Sequence, residues 1–187
     1  YCGTKYCIGC GNGLDALMLS LRTLGVGKDD EVIVPSNTYI ATALAVTYVG
    51  ARPVFVEPDI RTFNIDPTKI EEKITEKTKA IMPVHLYGQP CDMDPIMKIA
   101  HKHGIKVVED VSHAQGGLYK GRKLGTIGDV GAMSLMSGKS FAIGEAGMLV
   151  TNSKEIYEKS IKWGMYIRMG SVLGRDAIRR TRDVPLG

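Results

Sequence analysis

No apolar run in this sequence approaches the roughly 20 residues that a bilayer-spanning helix needs. The longest candidate, ALAVTYVGARPVFV from Ala43 to Val56, is broken by Gly50, Arg52 and Pro53, so no membrane span is expected. The opening YCGTKYCIGCGNG lacks a basic segment followed by an apolar one, so no targeting signal is read and a cytoplasmic setting is expected. Charge of one sign is not in large excess either. The formal net charge is +4 and acids and bases are interspersed, so no nucleic-acid partner is required. The local exception is the end, where Arg168, Arg175, Arg179, Arg180 and Arg182 gather with few acids; a solvated or subunit-facing tail is expected there. Cysteine is sparse. Cys7 and Cys10 make one C-x-x-C, but only Cys2 and Cys91 remain, too few for a second pair at matching spacing, so free thiols are expected and no metal site. His101 and His103, two apart, do not share a helix face; they suit a last helical turn before Gly104.

What is present is enough apolar residue for one core: 187 residues, of which 44% are hydrophobic and 24% charged, read as a globular domain. Short β-branched runs alternate with amphipathic stretches. GLDALMLSLRTLG places Leu14, Leu17, Met18, Leu21 and Leu24 on one helical face, stopped by Gly25. EVIVPS, RPVFVE, KAIMPVHLYG, IKVVED, GAMSLM and GMLVT read as strands. Between them, TYIATALAVTYVG, NIDPTKIEEKITEKT, DPIMKIAHKHG and SKEIYEKSIKWGMY read as helices, two of them opened by Asp-Pro at Asp66 and Asp94. This alternation predicts an α/β fold, a mainly parallel sheet flanked by helices on both faces. In such sheets ligands collect beyond the carboxyl ends of the strands, which directs attention to Pro35 to Tyr39, His85 to Gly88, Asp110 to His113 and Ser137 to Gly147.

Gly138-Lys139-Ser140 suggests a phosphate loop, but a Walker motif needs glycine where Met133 stands. The GCGNGL tract lacks the dinucleotide spacing and is read as preceding, rather than following, a clear strand. It still opens a helix, so the amides of Gly13, Leu14 and Asp15 could cradle a phosphate; a plain tight turn is the alternative. Asp110 ends an apolar strand, where a carboxylate needs a partner; a protonated ring nitrogen is one, an ordinary ion pair or helix cap another. Lys139 follows a strand among small residues and is either a carbonyl nucleophile or a solvated lysine. Together the three supply what a pyridoxal phosphate site needs: a phosphate anchor, a partner for the pyridinium nitrogen and a Schiff-base lysine.

The tracts GNGLDALMLSLRTLGVGKDDEVIVPSNTYIATALAV, PVHLYGQPCDMDPI, VVEDVSHAQGGLYKGRKLGTIGD and SLMSGKSFAIGEAGMLVTN occur in family order, and with them the chain resembles the DegT/DnrJ/EryC1/StrS family of pyridoxal-phosphate-dependent sugar aminotransferases. The resemblance implies the cofactor-binding large domain of transferase fold type I over residues 1–165, with the basic tail, 166–187, leading toward a missing small domain. It implies pyridoxal 5'-phosphate as cofactor, Lys139 as the Schiff-base lysine and Asp110 as partner of the ring nitrogen. His113 would lie near the phenolic oxygen, Tyr39 would stack on the ring, and Ser134 with the amides at Gly13, Leu14 and Asp15 would hold the phosphate. Two residues depart from the family pattern: Leu14 where threonine is common, and Ala146 where glycine is usual.

The implied reaction moves an amino group from glutamate or glutamine to a nucleotide-linked keto sugar, in a homodimer whose partner subunit contributes to the site. A keto-cyclitol such as scyllo-inosose is the second substrate reading. Lys139 argues against the related sugar dehydratases, which carry histidine there. A non-catalytic cofactor-binding or assembly module is the alternative of another class, and a nucleic-acid binder using the basic tail ranks last.

Overall fold

The computed structural model describes residues 1–164; the basic tail lies outside the described residues. Its elements in chain order are β1 (Tyr6–Cys10), α1 (Gly13–Thr23), β2 (Glu31–Pro35), α2 (Ile40–Tyr48), β3 (Arg52–Val56), β4 (Thr78–Ile81), α3 (Met93–His103), β5 (Lys106–Asp110), β6 (Leu118–Tyr119), β7 (Arg122–Lys123), β8 (Val130–Ser134), β9 (Gly147–Thr151) and α4 (Lys154–Gly164). Seven strands form one sheet in the order β1-β9-β8-β5-β4-β2-β3. The run from β8 through β3 is parallel, while β9 pairs antiparallel with both β8 and β1. The mainly parallel α/β sheet expected from the alternation is therefore present, with an antiparallel edge.

Strand periodicity sorts the core into two layers. Val32 and Val34 of β2 and Val108 of β5 pack with Leu17, Leu21, Ala45 and Val46 of α1 and α2. Ile33 and Val107, one residue out of phase, pack with Met93 and Ile96 of α3 on the other face. Both faces are covered, which is why these strands read as continuous apolar runs rather than alternating ones.

Several local readings change. The run after Asp66 is not an α-helix but two short 3₁₀ turns, Pro67–Lys69 and Glu71–Lys73. Asp66 does cap the first, accepting from the Thr68 amide at 3.0 Å. Only Ile70 of that run is fully buried, so no apolar stripe supports continued helix. Helix α3 begins at Met93, two residues earlier in capping position than expected, with Asp92 at the cap and Asp94 in the first turn. Its end is as read: His101 and His103 fill the last turn and Gly104 takes the left-handed conformation at φ 66°. On α1, Ala16, Leu19 and Ser20 are buried along with Leu17 and Leu21, while Leu14, Met18 and Leu24 are only half-buried. The helix is wedged between α2, α4 and the sheet, so its buried face is wider than a single stripe. The strand KAIMPVHLYG stops at Ile81, because Pro83 has no amide to continue the ladder. Finally, GCGNG does join a strand to the helix, its Gly9 and Cys10 closing the edge strand β1, although its glycine spacing still fails the dinucleotide pattern.

Candidate cofactor site at the carboxyl rim

The approach of α1 to the sheet builds the first part of the site. Asn12 caps the helix, its side-chain oxygen accepting from the Asp15 amide at 2.8 Å. The Asp15 amide is thereby engaged, which removes it from the three amides named from sequence. The amides of Gly13 and Leu14 occupy the first helical turn, where no intrahelical acceptor exists. Glycine at 13 is required by contact: a Cβ there would meet the Ser134 Cβ at 2.6 Å. A Cβ on Gly147 would collide with the Asn12 carbonyl oxygen. The helix start is thus pressed onto the ends of β8 and β9, bringing open amides and the positive end of α1 beside the Ser134 hydroxyl. Threonine is not needed at Leu14 for this cradle, which is built from backbone.

Asp110 ends β5 on the face of α1 and α2 and is 5% exposed. Its Oδ1 accepts the Ser112 amide at 3.0 Å and its Oδ2 the Thr42 hydroxyl at 3.3 Å. Thr42 is itself 2.9 Å from the Thr38 hydroxyl, which donates once Thr42 has turned its proton to Asp110. Among the described residues no lysine, arginine or histidine forms an ion pair with Asp110. A carboxylate this buried, held by two neutral donors, is built to receive a cation.

Lys139 follows β8 in a loop closed by Leu135 and Ala146, whose backbone amide and carbonyl meet at 2.8 Å, and by Ile143, whose amide donates to Leu135 O at 3.0 Å. The lysine is half-buried, and its own amide donates to Met136 O at 2.9 Å. Ala146 fits because the left-handed position in this loop falls on Gly144, at φ 103°, and not on residue 146. His113 has its pKa lowered below the ordinary 6.5, first by burial and then by the Lys139 charge, with Asp110 opposing. Its imidazole is neutral at pH 7.

A cleft of about 450 Å³ brings these groups together: Gly13, Leu14, Tyr39, Asp110, His113, Ser134 and Lys139 all line it, and Asp15 does not. Tyr39 lies at the mouth, 70% exposed, at the start of α2. Sequence reasoning missed the bracing side chains. Ser112 Oγ accepts the Ser134 amide at 3.0 Å, and the Gln115 amide donates to Ser134 O at 2.6 Å and Ser112 O at 3.1 Å. Only their position just after β5 pointed to them, because hydroxyl and amide side chains carry no periodic signal.

A lysine beyond β8, an aspartate closing the neighbouring β5 and an anion cradle at the first helix together define the large domain of fold type I transferases that work with pyridoxal phosphate. The chain belongs to the DegT/DnrJ/EryC1/StrS aminotransferase family, whose model matches residues 1–177. It is 57% identical over 160 residues to a dTDP-3-amino-3,6-dideoxy-alpha-D-galactopyranose transaminase of Aneurinibacillus thermoaerophilus, covering 85% of this chain and 44% of that one. It is 53% identical over 159 residues to a GDP-perosamine synthase of Caulobacter vibrioides, covering 85% and 43%. Among solved structures, NtdA of Bacillus subtilis with bound cofactor PMP superposes with a TM-score of 0.80 at 40% identity, covering 85% of this chain and 36% of that one. The chain thus spans less than half the length of the curated relatives it matches.

Proposed function

We propose that the chain is the cofactor-binding part, residues 1–165, of an aminotransferase that uses pyridoxal 5'-phosphate to move an amino group from glutamate or glutamine to a nucleotide-linked keto sugar. The observation that carries the reading is the convergence on one cleft of a half-buried lysine, a buried aspartate with no ion-pair partner among the described residues and an open helix N-terminus. These residues fit the cofactor. The amides of Gly13 and Leu14 with the Ser134 hydroxyl would hold its phosphate, Asp110 would pair with its ring nitrogen, Tyr39 would cover its ring, and His113 would stand near its phenolic oxygen. When bound, pyridoxal phosphate supplies a carbonyl that captures amines and a ring that accepts the electron pair left by a departing α-proton.

Lys139 has two tasks. Its Nζ would anchor the cofactor through the carbonyl carbon and, once the donor takes that place, would carry the proton from the donor carbon to the cofactor carbon. Thr42 and Ser112 donate to the two oxygens of Asp110 and hold the carboxyl group in place at the cleft. The sugar reading draws on the two relatives whose names specify nucleotide-linked amino sugars; nothing favours a cyclitol over them. Function as a homodimer in the cytoplasm completes the proposal. The exposed apolar side chains of Tyr39 and Ile40, which line the cleft, and of Phe141 and Ile143 in the loop of Lys139 support the first, and four free thiols the second. No helix among the described residues is long and apolar enough to cross a membrane.

The test is a titration of the protein with pyridoxal phosphate followed by glutamate or glutamine. A visible band that forms with the wild type and not with Lys139→Ala, and that bleaches on donor addition, is the expected result. A band that ignores both donors would leave cofactor binding standing and remove the transamination.

A further inference from the structure

We infer that Tyr87 is a substrate-binding residue: its ring is a fixed platform for the hexose ring of the amino acceptor. The inference rests on the nucleotide-sugar reading above and names a side chain that recognises the sugar. Tyr87 has φ 54° and ψ 30°, a left-handed backbone that a bulky side chain adopts only at a cost in free energy. The next residue, Gly88, is left-handed too, at φ 80°, and shows what the turn would select if backbone alone mattered. The phenol ring recovers nothing by burial, since Tyr87 is 79% exposed.

The fold nevertheless holds this conformation from both sides. Asn64, 2% exposed, accepts the Leu86 amide through Oδ1 at 3.0 Å and donates from Nδ2 to Gln89 O at 3.0 Å. His85, fully buried, accepts the Cys91 amide through Nδ1 at 3.0 Å. Two buried polar side chains thus staple the turn across Tyr87. The backbone at Tyr87 is thereby set at one place on the rim, and its exposed ring is presented from there as a contact surface.

Its location names the ligand. Tyr87 follows β4, which lies between β5, ending in Asp110, and β2, leading to Tyr39. Val84, three residues earlier, lines the cleft, and the Tyr87 ring lies 6.2 Å from the ring of His113, which also lines it. A group bound against Tyr87 is therefore adjacent to the reacting end of the cleft. The donor's carboxylates call for cations, which the face of a phenol ring does not supply. A hexose ring instead presents a C–H face that packs on an aromatic one.

The experiment compares wild type, Tyr87→Phe and Tyr87→Gly in the intact, cofactor-loaded protein, measuring the donor and the acceptor half-reactions separately with a dTDP-linked 3-keto-6-deoxyhexose and a GDP-linked 4-keto-6-deoxyhexose. Thermal midpoint, molecular mass and binding of the corresponding non-keto nucleotide sugars by calorimetry accompany the kinetics. Glycine tolerates the backbone at 87, so the fold should persist. The expected result is a loss of about 10-fold or more in kcat/KM and in affinity for the sugar in Tyr87→Gly, little change in the donor half-reaction, and near-normal behaviour in Tyr87→Phe. Equal losses in both half-reactions, or a shift to monomer with sugar affinity intact, would overturn the platform in favour of a structural or subunit-contact role. A wild type that turns over the donor but neither sugar would overturn the nucleotide-sugar reading, and this inference with it.

Discussion

Glu109 and Asp110 are consecutive acids on β5, yet they sit in opposite electrostatic situations. Glu109 faces α3, is fully buried, and accepts four donors: the amides of Ile127 and Gly128 on Oε1, both at 2.7 Å, and on Oε2 the Gly125 amide at 2.9 Å and His85 Nε2 at 3.1 Å. Because His85 Nδ1 accepts the Cys91 amide, the imidazole proton is on Nε2, and the pair is a neutral ring donating to a carboxylate. Asp110, facing the other side, has two donors and an open cleft in front of it. A carboxylate whose lone pairs are all occupied stabilises the chain; one left incompletely paired is reserved for a ligand.

The contrast predicts opposite losses. Asp110→Asn is expected to lower transamination by roughly 10²- to 10⁴-fold while leaving the thermal midpoint close to wild type. Glu109→Ala is expected to cost about 3 kcal/mol of stability, because three amides and an imidazole lose their acceptor inside the core, with cofactor affinity preserved in the molecules that remain folded. Urea titration of both variants beside activity measurements checks the pair; a Glu109 variant that is stable but inactive would erase the distinction. Gly13→Ala comes next, since its Cβ has no space against Ser134. A loss of about 1–3 kcal/mol is expected, together with weaker phosphate binding, read by equilibrium dialysis of pyridoxal phosphate.

The smallest effect is in pH. The His113 pKa is depressed in the folded chain by burial and by Lys139. Its contribution to stability is therefore full above the ordinary 6.5 and is lost as pH falls through the lower folded value. His113→Gln should flatten that part of the stability profile between pH 7 and 5, as followed by thermal midpoint.

The difference between neighbouring acids also marks how far sequence reaches. Apolar runs announce β2, β5 and β8, and the rule that ligands gather at their carboxyl ends leads to Asp110 and Lys139 without a structure, while Ser134 comes only from the family resemblance. The partner of Asp110 on α2, Thr42, is out of reach, because 68 residues separate the two and a threonine in a helix carries no signal. The edge strand β1 is hidden because three of its five residues, Cys7, Gly9 and Cys10, are glycine or cysteine, and the hairpin of β6 and β7, two residues a strand, is too short for alternation to register. After Asp66 the local capping signal was right and the helix length wrong, since length is set by tertiary burial rather than by the cap.

The most direct measurement is peptide mapping by mass spectrometry after borohydride reduction of the protein loaded with pyridoxal phosphate. A phosphopyridoxyl mass increment on the peptide carrying Lys139, absent after Asp110→Asn only if the cofactor no longer binds, is the result the site geometry predicts. An increment spread over surface lysines, with the Lys139 peptide unmodified, would contradict it.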